Sequence, residues 1–182
     1  LRVILRQINE KDAYTYGHSE RVMEYSVQIS NALKLEVGTI EQIALSAAFH
    51  DVGKCEVADS ILTKADKLTN EEYAIMKKHP IHSRKILEKR FGSRIGKIVE
   101  QHHEREDGSG YPYGLTEDQI LYEAKIIAVA DSFDAMTSKR IYSAPKTFEE
   151  ALQDLKSTPN KYNQNIVNIL VELVKNGAIK QR

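Results

Sequence analysis

Apolar residues recur at helical spacing in nearly every long segment of this chain, and no stretch alternates with the period of two that a half-buried strand needs. Ser19 to Lys34 carries Val22, Tyr25, Ile29 and Leu33 on one face. Thr39 to His50 forms a second helix, with Thr39 as its cap and Gly53 as its stop. "TNEE" from Thr69 is a capping-box pattern and starts a helix running to about His79, where Pro80 interrupts. Ile81 to Arg90, Ser93 to His103 and Tyr122 to Ser138 follow. Two shorter helices, "TFEEALQDLK" and "NIVNILVELVKNG", cap the core beyond Pro145, the second stopped by Gly177. "REDGSGYPYGLT" holds three glycines and a proline in a dozen residues and must be loop. At the start, "LRVILRQI" aligns Leu1, Ile4, Leu5 and Ile8 as the tail of an incoming helix. With no initiator methionine or signal-like pattern before it, the chain reads as a domain from something longer. The expected fold is all-α.

The 182 residues carry formal net charge zero, with 41% hydrophobic and 29% charged side chains, enough for one sizeable core. Balanced charge argues against a broad surface for a nucleic-acid polymer or an anionic membrane, though not against a local pocket for a phosphorylated small molecule. The longest apolar runs, "IIAVA" and "ILVELV", are far too short for membrane insertion. Cys55 is the only cysteine, so no intrachain disulfide forms and a reducing compartment, the cytoplasm, is expected.

The ionisable residues sit where a bland core would not put them. In "AAFHDVGK" an apolar run ends in His50 and Asp51, with Lys54 just beyond. His18 lies on the buried stripe of its helix, four residues before Val22. Asp131 is a carboxylate on the apolar face of "KIIAVADSFDAM", and burying it alone would cost several kcal/mol. His79 stands at a helix junction, and His102 and His103 precede the glycine-rich loop. Singly, a terminal histidine serves a helix dipole and an inward one is satisfied in the core. Five of six histidines in such places, with two carboxylates, are instead the ligand inventory of a dinuclear transition-metal site. His82 is assigned to the surface.

His18, His50–Asp51 and Asp131 resemble the H…HD…D signature of the HD phosphohydrolase superfamily. "HDVGK", "KHP", "QHHEREDGSGYPYGL" and "AVADSFDAMTSKRIY" resemble its HD-GYP subgroup more specifically, from "DAYTYGHSERV" through Tyr142 and loosely to Gly177. That resemblance implies a helical HD-domain bundle with a Gly-rich loop and a small C-terminal extension. Residues 1–10 would end a linker helix, 11–143 form the catalytic core and 144–182 pack on it. It also implies a cyclic di-GMP phosphodiesterase with two divalent transition-metal ions, Fe or Mn, acting through a metal-bridging hydroxide, with pGpG or GMP left open as the final product. Carried over by position, one metal takes His18, His50, Asp51 and Asp131. The second shares Asp51 and adds His79, His102 and His103. Asp51 and Lys54 are the catalytic candidates. Lys54, Arg140, Gly110, Tyr111 and Pro112 are the substrate-binding ones, with Lys54 and Arg140 on phosphate and Tyr111 lining the pocket or stacking a guanine. Arg105 holds the loop through an ion pair. An upstream sensory or receiver domain and a homodimer complete what the resemblance implies.

Departures from the family pattern fall at Tyr14, where a glutamate would help hold a third metal, at Ser83 in place of glycine, at Glu106 in place of tryptophan, and at Ile141. Glu106 and Ile141 are expected at the substrate pocket. Two other readings stand beside the main one. One is an HD phosphohydrolase for another cyclic dinucleotide or phosphate ester; the other is a signalling module that binds the dinucleotide without hydrolysis. A purely structural helical bundle would leave the five histidines as accidents.

Overall fold

A computed structural model describes residues 13–64, 66–138 and 144–180, with side chains from Gly17 onward. Among these the chain is helical: α1 (Ala13–Ala32), α2 (Val37–Phe49), a 3₁₀ turn (Val52–Glu56), α3 (Asp59–Leu62), α4 (Asn70–Met76), α5 (His79–Phe91), α6 (Ser93–Glu100), α7 (Tyr122–Thr137), α8 (Phe148–Ser157) and α9 (Gln164–Lys175). The described residues hold no strand, only an isolated bridge between Asp107 and Thr116 within the glycine-rich loop. The expected leading helix, Tyr14, Arg140 and Ile141 lie outside the described residues or side chains.

Local signals account for most boundaries. The box at Thr69 forms as the sequence suggests, its hydroxyl accepting the Glu72 amide while the Glu72 carboxylate accepts the Thr69 amide. Thr147 and Glu150 repeat the arrangement at α8. Three expectations are corrected. Thr39 falls inside the first turn of α2, which starts at Val37 without a side-chain cap. Gly53 does not end that helix but sits in the 3₁₀ turn beyond it. Pro80 opens α5 instead of interrupting its predecessor, because the first turn needs no proline N–H.

α7 is the axis of the bundle. Ile126, Ile127, Val129, Ala130 and Phe133 have no exposed surface. α1, α2, α6, α8 and α9 all pack against it. Phe133 lies between the rings of Tyr25 and Phe148, at 5.5 and 4.8 Å between centroids. A smaller core of Val52, Leu87, Ile95 and Val99 joins the 3₁₀ turn to α5 and α6. Between these two cores the ends of α2, α4 and α6 meet the inward faces of α1 and α7. There the polar residues gather.

Candidate metal centre

Three helix ends supply imidazoles by one local device. A helix terminus leaves its last carbonyls without intrahelical partners. His50 Nδ1 is 2.7 Å from the Ala47 carbonyl, His79 Nδ1 is 2.9 Å from that of Met76, and His102 Nδ1 is 2.5 Å from that of Val99. Each ring bonds the carbonyl three residues before it. A carbonyl only accepts, so a proton sits on Nδ1 and Nε2 is the nitrogen turned inward. His18 is oriented from mid-helix instead, its Nδ1 2.7 Å from Asp134 Oδ2 and its Nε2 turned inward toward Asp131. Asp134 is in turn held by Arg21 Nε, at 2.6 Å, and by the Ser138 hydroxyl.

The inward atoms converge on Asp51. Its Oδ1 lies 3.1 Å from His79 Nε2 and 4.0 Å from His102 Nε2. Its Oδ2 lies 3.3 Å from His50 Nε2 and 3.9 Å from His18 Nε2. Two groups result, one of Asp51, His79, His102 and His103 and one of His18, His50 and Asp51, each with donor atoms within 4.8 Å of one another. Asp131 straddles both as well. Oδ1 is 3.2 Å from His18 Nε2 and Oδ2 is 3.7 Å from His103 Nδ1, whereas the sequence reading gave Asp131 to the first group alone.

Protonation suits the same use. Burial would raise the Asp51 pKa, but Lys54 and His50 beside it hold the carboxyl well below its usual range. Burial likewise opposes ionisation of Asp131, which hydrogen bonding from His18 overcomes. Burial drives His102 down to about 3, aided by His50 and His79, and drives His103 well below the imidazole range. His18 is the exception. Burial lowers it, yet hydrogen bonds to Asp131 and Asp134 carry it up to about 9. His50 Nε2 and Asp51 Oδ1 are buried with no hydrogen-bond partner, and orphaned groups of this kind cost roughly 1–3 kcal/mol each. Carboxylate oxygens and imidazole nitrogens with no thiolate are the donors that first-row divalent cations take. The residues fit a metal pair.

The glycine-rich loop closes one side. Tyr111 N–H donates to the His103 carbonyl, and the Tyr111 ring lies 4.7 Å from that of His103 and 6.4 Å from that of His79. A Cβ on Gly110 would stand 2.4 Å from Arg105 N and 2.5 Å from the His103 carbonyl oxygen, so only glycine fits there. Pro112 follows in the same turn. Lys54 Nζ is 2.7 Å from Asp51 Oδ2, at the rim of the cluster.

Other residues lie elsewhere than expected. Arg105 holds the loop through the carbonyls of Glu104 and His102 and by lying 4.9 Å over the Tyr162 ring; among the described residues it makes no ion pair. Glu106 turns toward Lys125, at 2.8 Å, and Asn163, tying the loop to α7 and the C-terminal helices instead of facing the cluster. His82 is half-buried and stands outside both donor groups.

Asp134 and Glu104 escaped the sequence reading. Asp134 follows Asp131 by one helical turn, a same-face spacing that flags it. Glu104 is buried, and its two oxygens accept the amides of Tyr113 and Leu115. No local pattern announces that.

An all-helical bundle with carboxylate-bridged imidazoles defines the class, and residues 2–166 match the HD domain family. The chain belongs to that family, in its HD-GYP subgroup. It is 41% identical to a cyclic di-GMP phosphodiesterase of Thermotoga maritima over 94% of this chain and 48% of that protein. It is 36% identical to a 3'3'-cGAMP-specific phosphodiesterase of Vibrio cholerae over 91% of this chain and 32% of that one. The chain thus spans about half the length of the first relative and a third of the second. The solved structure of an HDG"Y"P protein from Bdellovibrio bacteriovorus superposes with a TM-score of 0.72 at 23% identity, covering 88% of this chain and 52% of that one, a likeness of fold. Among the described residues no helix is long and apolar enough to cross a membrane.

Proposed function

We propose that this chain is a metal-dependent phosphodiesterase that hydrolyses cyclic di-GMP, with pGpG or GMP as the product. The observation that carries the reading is that the two oxygens of Asp51 face two separate sets of imidazole nitrogens. The 41% identity to a protein named for that activity supports the substrate.

His18, His50, Asp51 and Asp131 would hold one cation. His79, His102 and His103, with Asp51 shared, would hold the other, and Asp131 is placed to reach both. Fe or Mn suits this donor set. Bound there, divalent cations would supply Lewis acidity, which makes water nucleophilic near neutral pH and neutralises charge on a phosphodiester. The protein's own part is orientation. Nδ1 bonds to backbone carbonyls and to Asp134 fix the rings of His18, His50, His79 and His102, and Asp51 would be shared between the two sets. Lys54, on the rim, adds a point charge for the phosphate, and Arg140 a bidentate contact. Tyr111 offers a ring face to a guanine. An upstream sensory or receiver domain and a homodimer belong to the same proposal.

The cGAMP-specific relative supports a second reading, in which another cyclic dinucleotide is the substrate. One experiment tests both: anaerobic purification with metal quantification, then product analysis with cyclic di-GMP and 3'3'-cGAMP side by side. Less than one equivalent of metal after reconstitution, or no hydrolysis of either nucleotide by the loaded protein, overturns the proposal.

A further inference from the structure

Ser83 stands on α5 one turn after His79, with no exposed surface. Its hydroxyl donates to the His50 carbonyl at 2.7 Å and accepts the Gly53 amide at 2.8 Å. These backbone groups lie on either side of Asp51, so one side chain brackets the residue shared by the two donor groups. The turn and the helix also touch directly. A Cβ on Gly53 would fall 2.1 Å from the His79 carbonyl oxygen and 2.4 Å from the Ser83 amide nitrogen. With the backbone pressed that close, the hydroxyl is the specific link that sets the register between the turn carrying His50 and Asp51 and the helix carrying His79.

We infer that Ser83 is a positioning residue for the metal pair. By fixing Asp51 against His79 it sets the separation at which two cations share one carboxylate. Without the hydroxyl the Gly53 amide and His50 carbonyl lose a buried partner, and the backbone that carries Asp51 loses its hydrogen-bonded tie to α5. Ser83 touches neither cation nor substrate; it acts through Asp51.

This rests on the metal-centre reading, and the test separates the two. Wild type, Ser83→Ala and Ser83→Cys are stripped of metal, titrated with Mn(II) by calorimetry, and examined by EPR for the signal of an exchange-coupled pair. Thermal melts in chelator accompany each titration. The expected result is that Ser83→Ala weakens uptake of the pair about 10–100-fold, the range for partners that orient metal ligands, and alters or abolishes the coupled signal. Ser83→Cys, whose thiol is a weaker bonding group, falls between and carries the comparison if Ser83→Ala does not fold. Uptake and coupling equal to wild type, with only the chelator melt lowered, reduce Ser83 to a structural residue and overturn the inference. A wild type that takes up no Mn(II) pair defeats the metal-centre reading itself, and this inference with it.

Discussion

His79 Nε2 and Asp51 Oδ1 stand 3.1 Å apart with no hydrogen between them when the ring is neutral, because His79 spends its Nδ1 proton on the Met76 carbonyl. Two lone pairs facing each other in a buried site repel unless a cation lies between. The same holds at His50 Nε2, which is likewise buried and unpartnered.

Asp51→Ala removes the one group common to both sets. Turnover of cyclic di-GMP should fall to the blank and metal content should drop below one equivalent, while far-UV circular dichroism stays near wild type. Retained hydrolysis would exclude the bridging role.

Asp134→Asn leaves every donor atom in place but weakens the acceptor that orients His18 and pairs with Arg21. Metal affinity should fall about 10–100-fold, as for other partners of metal-bound histidine. Calorimetric titration measures it, and an unchanged affinity would assign Asp134 to the Arg21 ion pair alone.

Lys54→Ala removes an ammonium 2.7 Å from Asp51 without removing a ligand. Turnover should slow on the order of 100-fold, the scale for losing one charge-stabilising group, with two metals still bound. Metal analysis beside steady-state rates distinguishes this from a Lys54 whose loss empties the site.

Gly110→Ala places a methyl group against the Arg105 amide and the His103 carbonyl. The loop must move and take Tyr111 with it. Hydrolysis of the cyclic dinucleotide should fall at least 10-fold while a small aryl phosphodiester, which needs no base-stacking ring, is cleaved at near the wild-type rate; equal losses on both substrates would count against a Tyr111 role in binding.

The metal-free protein should be most thermostable near pH 6.5. His102 is held to about 3 by burial, so its contribution is present above the ordinary imidazole pKa and is lost as pH falls from about 6.5 toward 3. His18, carried up to about 9 against its burial by Asp131 and Asp134, contributes fully below about 6.5, and that contribution fades as pH rises through 9. Melts in chelator from pH 4 to 10 should trace a peak, and a curve rising steadily to pH 10 would contradict it.

Much of the site was legible because its donors carry local marks. His50, His102 and His103 cluster at helix ends, and Asp131 is a carboxylate on an otherwise apolar face. The idea that terminal histidines serve their own helices and the idea that they ligate metal looked like rivals. One ring accommodates both, with Nδ1 bonded to the carbonyl and Nε2 left facing the cluster. Ser83 shows the other side. Its identity drew notice as a departure from glycine, but its bonds reach 33 and 30 residues back along the chain. Glu106 misled for the same reason, since its partners Lys125 and Asn163 come from later helices.

Helical period, capping boxes and the breaking power of glycine and proline act within a few residues, so the all-α class and most helix spans were set by sequence alone. So was the supply of imidazoles and carboxylates near helix ends. Tertiary structure decided which atoms face one another: that Asp51 and Asp131 each reach two sets of nitrogens, that Asp134 lies behind His18, that Glu104 holds the glycine-rich loop, and that Ser83 brackets the backbone around Asp51. Those relationships depend on distances of a few ångströms between segments up to 116 residues apart. Only the packing of the two cores could fix them.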